Sequence, residues 1–332
     1  MSRFSSSDLI AELDSLLVRH CAFNAAKASI AETLALARLS HDRALLPVLG
    51  RSRTGKSRLL QLCMQEHLIE AEEAGREPTA VYMALPRYAR PKAILKALLH
   101  ALGYPIYATG AEVDLQLRAI ELIQKRQISV MYVDETQQAV SHRDDINAEL
   151  VDCFKALLDE AGVTVIAAGL PEMTTLLEAD EQLVGRAVKP VELPRFSWQE
   201  DDSRCEFVSL LVTFTKALEF ADLPDPIDEK IAFAWYAATG GRVGYVTKIL
   251  RQALLASVGH KIGLRELDQA YDKQIYGSAR LPRPFTRCFK ASEVSAALEH
   301  ADRLGQGAAQ RRVAPVARGR RRSAVGRDGQ EV

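Results

Sequence analysis

An α/β fold, a five-stranded parallel sheet sandwiched by helices and followed by a small all-helical unit, is what these 332 residues predict. Three observations carry that expectation. An apolar strand at residues 45–49 runs directly into a glycine-bearing turn and then an apolar helix. Short apolar runs and helical segments alternate from there to Pro194, the pattern of parallel strands buried on both faces. Beyond Pro194 the short apolar runs stop and only helical periodicity persists.

In chain order, Ser7 and Asp8 can cap a helix running to about His20, and a second helical segment covers 25–39. After the strand at 45–49, a helix extends from Lys56 towards Ala74, where Gly75 and Pro78 stop it. The second strand, 80–84, leads to a helix at 91–102 with proline at its start and Gly103 beyond its end. A helix at 112–126 precedes the third strand, 128–133. A helix at 145–161 closes at Gly162, and 163–168 is the fourth strand. A short helix follows Pro171, and 188–193 reads as the fifth strand. Helices at 199–220, 228–239, 243–258 and 264–276 come next, then a Pro- and Arg-rich linker at 280–287 and a helix near 292–304. The resulting plan is a helical extension (1–40), a nucleotide-binding core (41–197), a helical lid (198–277) and a linker, short helix and basic tail (278–332).

The chemistry is concentrated at two strand ends. Gly50-Arg51-Ser52-Arg53-Thr54-Gly55-Lys56-Ser57 fits G-x-x-x-x-G-K-[ST], a phosphate-binding loop. Its glycines let the backbone curl so that successive N–H groups face phosphate oxygens. Lys56 supplies a point charge, the Ser57 hydroxyl a Mg²⁺ ligand, and Arg58 follows as a further nucleotide contact. The third strand ends in Asp134-Glu135, beside the loop in an open α/β sheet. Asp134 is expected to hold Mg²⁺ through water, and Glu135 to orient and deprotonate an attacking water. Arginines that can meet the charge developing on a transferred phosphoryl group are Arg186, reaching a neighbouring subunit, and Arg242, at the start of a lid helix. Each also reads as a plain surface arginine.

Net charge is uninformative, with 43 Lys plus Arg against 43 Asp plus Glu, but its distribution is not. Residues 311–332 carry seven arginines against Asp328 and Glu331, a cationic tail that either meets phosphate backbone or is simply solvated. The five cysteines, 21, 63, 153, 205 and 288, are scattered and fit a reducing cytoplasm. Neither a signal peptide nor a stretch of about 18 apolar residues is present, so no membrane span is expected.

Together these motifs resemble the AAA+ superfamily of P-loop NTPases. Beside the phosphate loop stand Val133-Asp134-Glu135 with Gln137-Gln138 after them, Val165 to Pro171 leading to a Pro-Glu pair, Gln182 to Arg186, Leu193-Pro194-Arg195-Phe196-Ser197-Trp198 and Ala238-Thr239-Gly240-Gly241-Arg242-Val243-Gly244. On these segments, over roughly residues 30 to 260, the chain resembles the TniB/TnsC family of transposition regulators, which includes the ATPases of CRISPR-associated transposons; the Leu-Pro-x-Phe-x-Trp and Thr-Gly-Gly segments are what narrow the likeness. The resemblance implies that ATP with Mg²⁺ drives assembly of a homo-oligomer, ring or helical filament, around double-stranded DNA held by its backbone. That assembly would recruit a DDE transposase and a TniQ-type adaptor, with hydrolysis taking it apart, in a nucleoid-associated setting in the bacterial cytoplasm. Arg87, Arg90 and Lys92 are candidate DNA contacts, or else part of a solvated loop. Where the family usually ends its fourth strand in a polar residue that senses the γ-phosphate, this chain has Gly169-Leu170-Pro171, which implies slow hydrolysis. Three other readings share the loop: a helicase loader or replication-type AAA+ ATPase, a small-metabolite kinase, and a nucleotide-gated protein without hydrolysis. No acceptor motif supports the kinase, and Glu135 speaks for hydrolysis.

Overall fold

The computed structural model describes residues 6–17, 20–40, 42–86, 90–105, 109–139, 148–178, 180–218, 221–257, 261–275, 283–286 and 291–303. Five strands form one parallel sheet: β1 (Leu45–Leu49), β2 (Ala80–Ala84), β3 (Val130–Asp134), β4 (Thr164–Gly169) and β5 (Val191–Glu192). Their spatial order is β2-β3-β4-β1-β5, so β1 and β3 flank β4 and their carboxyl ends share one edge. That edge is where an open α/β sheet presents a crevice.

Strand alternation explains the two-sided burial. On β1, Leu45 and Leu49 face one core while Leu46 and Val48 face the other. On β3, Met131 and Val133 oppose Val130 and Tyr132 in the same way. The first face packs on α4 (Pro91–Ala101), α5 (Glu112–Lys125) and α6 (Ala148–Asp159), through Leu98, Leu115 and Leu158 among others. The second packs on α2 (Cys21–Ser40) and α3 (Lys56–Glu73), through Ile30, Leu59 and Leu60. Burying one such leucine contributes about 2 kcal/mol.

Two short helices follow β4, α7 (Met173–Glu178) and α8 (Glu181–Arg186), where sequence periodicity shows a single one. Asp180 starts the second by accepting the backbone N–H groups of Gln182 and Leu183. The fifth strand is shorter than the apolar run at 188–193: Val191 and Glu192 pair with β1 as a strand, while Ala187 meets Leu45 only in an isolated bridge.

Four helices, α9 (Asp201–Ala217), α10 (Glu229–Thr239), α11 (Val243–Ala256) and α12 (Leu264–Gln274), enclose a separate core around Phe207, Leu250 and Tyr271. A last helix, α13 (Ala291–Arg303), packs on α10. The first helix, α1 (Ser6–Ser15), buries Leu9 and Leu13 in this bundle, whereas α2 lies on the sheet. Residues 1–40, read from sequence as one extension, thus divide between two cores.

Candidate functional site

Close packing fixes the start of the phosphate loop. A Cβ on Gly50 would lie 2.5 Å from the Leu193 carbonyl oxygen and 2.8 Å from Thr54 Oγ1, so only glycine fits. The loop then curls through two left-handed residues, Arg53 (φ 71°) and Gly55 (φ 106°). No side chain caps α3 at Gly55, which leaves the N–H groups of its first turn facing outward, as an anion site requires. The Lys56 ammonium donates to the carbonyl oxygens of Gly50 (2.7 Å) and Arg51 (3.0 Å), lying across the loop. Burial pushes its pKa below the ordinary lysine value, while Asp134, Glu135 and Glu172 push the other way.

Asp134 ends β3 and is buried. The Tyr82 hydroxyl on β2 donates to its Oδ2 at 2.9 Å, and the Glu135 N–H donates to its Oδ1 at 2.8 Å. Burial and the neighbouring Asp134 charge raise the Tyr82 pKa, so the phenol stays protonated and remains a donor. Glu135 follows in a left-handed conformation (φ 58°), strained for a residue with a side chain, at about 1 kcal/mol. Its exposed carboxylate accepts the side-chain amide of Gln137. Thr136, fully buried, pins the turn to the next strand by donating to the Ala168 carbonyl at 2.8 Å.

That threonine also accounts for Gly169. A Cβ there would sit 2.2 Å from Thr136 Oγ1, so the end of β4 has no room for a polar side chain. The hydroxyl anchoring the Asp-Glu turn occupies the space.

A cleft of about 570 Å³ opens over these groups. Residues 52–58 of the loop, Glu135 and Gln137 line its sheet side. Leu13 of α1, Leu17 and His20 between the two helices and Phe23 of α2 give it a largely apolar wall, and Gly244, Thr247 and Arg251 close it from α11. His20 packs edge-on against Phe196 with ring centroids 5.0 Å apart, and burial lowers its pKa, which favours neutral imidazole. Gly244 donates its N–H to the Arg53 carbonyl at 3.0 Å, and its missing Cβ would lie 3.0 Å from Arg53 Cβ. The bundle therefore touches the phosphate loop backbone to backbone. Arg58 donates to the Ser15 carbonyl at 3.2 Å, and Arg251 pairs with Asp14, so α1 is tied to both walls.

Arg186 and Arg242 do not line the cleft. Arg186 ends α8, where its Nε donates to Asp159 at 2.6 Å. Arg242 is 1% exposed, with its guanidinium 5.9 Å from the Tyr245 ring centroid. Burial, with Arg195 and Arg51 nearby, pushes its pKa down. Arg90 and Lys92 are exposed at the start of α4, whereas Arg87 and the arginine tail lie outside the described residues. Three residues that line or support the site carry no motif signal: Tyr82, His20 and Arg251. Only the position of Tyr82 on a strand beside β3 could have pointed to it.

The fit to ATP with Mg²⁺ can be judged from these donors. Curled backbone, an uncapped helix start and an ammonium suit a polyphosphate. Asp134 and Ser57 are too few for a metal cage of their own, which suits Mg²⁺, an ion held by one or two carboxylates plus the phosphates.

Sheet order, phosphate loop and helical bundle define an AAA+ fold. Residues 15–198, more than half of the chain, match the family model described as bacterial TniB protein, and the chain belongs to the TniB family. A search of the curated proteins found no match. Among solved structures, Cdc6p from Pyrobaculum aerophilum is similar at 14% identity and TM-score 0.60, over 80% of this chain and 71% of that one. The Aeropyrum pernix ORC1 protein in complex with DNA shares 15% identity, TM-score 0.61, over 80% and 69%. The Aeropyrum pernix ORC2 protein in ADPNP–ADP complexes shares 12%, TM-score 0.57, over 79% and 71%. The resemblances drawn from sequence, to the AAA+ fold and to TniB, both hold.

Proposed function

We propose that this protein hydrolyses ATP with Mg²⁺ and uses the nucleotide to assemble on double-stranded DNA as a regulator of transposition. The observation that carries this reading is the convergence of residues 52–58, Lys56, Glu135 and the bundle residue Gly244 on one cleft. A ligand there touches both halves of the fold, so its presence can set their relative position.

Each residue has a part. Loop N–H groups and the first turn of α3 bind the β- and γ-phosphates, with the Lys56 ammonium moving from backbone carbonyls onto phosphate oxygens. Ser57 and Asp134 would hold Mg²⁺, which would supply positive charge against that of the phosphates. Tyr82 keeps Asp134 turned towards the loop. Glu135 takes one proton from the attacking water as the new P–O bond forms and the bond to ADP breaks. Arg186, which does not line its own cleft, would act on the nucleotide of a neighbouring subunit once freed from Asp159. Arg242 acts from within the bundle by supporting the start of α11.

The TniB family match supports an ATPase with a DNA-related role; on our reading that role is in transposition, with a ring or helical filament on DNA as the working form and a DDE transposase and TniQ-type adaptor as partners. That a structurally similar ORC1 is described in complex with DNA, and an ORC2 with ADPNP and ADP, agrees with nucleotide and DNA as ligands. The same likeness favours a replication-type or helicase-loader ATPase as the second reading. Fold alone does not separate the two; a functional response to a transposase does.

DNA binding measured with ATP–Mg²⁺, with ADP and without nucleotide tests the proposal. Binding and oligomer size should rise with ATP–Mg²⁺ only, and Lys56→Ala should abolish both. Equal binding in all three conditions overturns the reading. Reversing the charge of Arg87, Arg90 and Lys92 should lower ATP-dependent binding and its salt slope.

A further inference from the structure

We infer that Gln137 is a positioning residue of this site: its side-chain amide fixes the Glu135 carboxylate and through it orients the attacking water, a task for which the end of β4 has no side chain. The inference rests on the ATPase reading above and names a residue that the phosphate-loop and Asp-Glu motifs do not include.

The backbone around Gln137 is held firmly. Asp134 accepts the Glu135 N–H, Thr136 bonds to the Ala168 carbonyl, and the Gln138 N–H donates to the Glu135 carbonyl at 2.9 Å in a 3-10 turn over Thr136–Ala139. The Glu135 side chain is exposed by contrast, and a free carboxylate rotates. The amide of Gln137 donates to Glu135 Oε2 and removes that freedom. Both side chains line the cleft with Lys56.

The other end of the amide is the second clue. Gln137 Oε1 is buried and has no hydrogen-bond partner among the described residues. A buried acceptor left unmatched is costly, and the side chain bears that cost in the orientation that keeps its NH2 group on Glu135. Water attacking a phosphorus atom presents two protons. Glu135 takes one, and its carboxylate can meet that proton in line only while the Gln137 amide holds it. Across the turn, the Gln137 backbone nitrogen lies 3.5 Å from where a Gly169 Cβ would stand. Gln137 thus serves the region that Gly169 leaves without a polar group, because Thr136 fills the space of a larger residue there.

A glutamine that merely caps the turn would have the same bond to Glu135, and a double-mutant cycle separates the two roles. ATP turnover, ATP–Mg²⁺ affinity and melting temperature are measured for the parent, Gln137→Ala, Glu135→Gln and the double variant. The expected result is a 10- to 100-fold lower kcat for Gln137→Ala, with KM and affinity within two-fold of the parent. In the Glu135→Gln background, adding Gln137→Ala should cost nothing further. Gln137→Glu, nearly the same shape but carrying a like charge beside Glu135, should lose as much as the alanine variant. A kcat within two-fold of the parent for Gln137→Ala overturns the inference. So does a full multiplicative loss in the double variant, or a kcat loss matched by a fall in melting temperature. A parent that shows no turnover overturns the ATPase reading itself, and this inference with it, so the two failures are told apart by the parent alone.

Discussion

On the sheet side of the cleft, Gly50–Ser57 and Asp134–Glu135 lie on unbroken stretches of chain at the carboxyl ends of β1 and β3, and residues 52–57 and Glu135 line the cleft itself. On the helical side, the arginine that belongs to a motif, Arg242, is buried in the bundle, while Arg251, which belongs to none, lines the cleft. The difference is one of cause. Binding phosphates needs particular residue types at fixed spacing, because a few consecutive backbone N–H groups must converge. A helix laid over the site needs only to approach closely, so its short motif serves packing: Gly244 admits the Arg53 backbone, and Gly241 takes the Phe196 N–H on its carbonyl at 2.9 Å. Sequence motifs mark chemistry on the first wall and contact on the second.

The strongest challenge to that contrast is Glu135→Gln. With the sheet wall carrying the chemistry, single-turnover rates should fall by about 100-fold while ATP–Mg²⁺ affinity holds and the DNA-bound oligomer persists. A parental rate removes Glu135 as the base. Next in size is Arg242→Ala. If this arginine serves packing, thermal unfolding should show a loss of about 2 kcal/mol or more. A variant with parental melting and impaired turnover would instead move Arg242 to the chemical side. Arg251→Ala sharpens the comparison from the other direction: melting should change little, since its pair with Asp14 is half-exposed, while KM for ATP should shift a few-fold. The smallest effect is expected from Tyr82→Phe. Titrating Mg²⁺ against turnover should show a two- to five-fold higher requirement, as Asp134 loses one of its two hydrogen bonds. An unchanged requirement would mean that the Glu135 N–H alone orients Asp134.

Legibility follows the same division. The strands at 45–49 and 80–84 are visible to the residue, because buried parallel strands are short apolar runs ending in turn residues. The fifth is read too long, since an apolar run at a sheet edge need not pair along its whole length. The first helix is read to His20 but ends at Ser15, and His20 instead turns inward against Phe23 and Phe196. Nothing local signals that turn. It depends on Phe196, far along the chain. The Asp14–Arg251 pair spans 237 residues and leaves no trace in spacing. The absent polar residue at Gly169 was visible, but its cause was not, for Thr136 reaches it only across two adjacent strands.

The first helix has a practical consequence. Leu9 and Leu13 are sunk in the bundle core, Ser15 receives Arg58 beside the phosphate loop, and Asp14 holds Arg251. A shortened version beginning at residue 20 would expose apolar surface on the bundle and strip one side from the cleft. Trimming there is surgery on the proposed binding site, and a bulky tag fused close to Ser6 would press on the same joint.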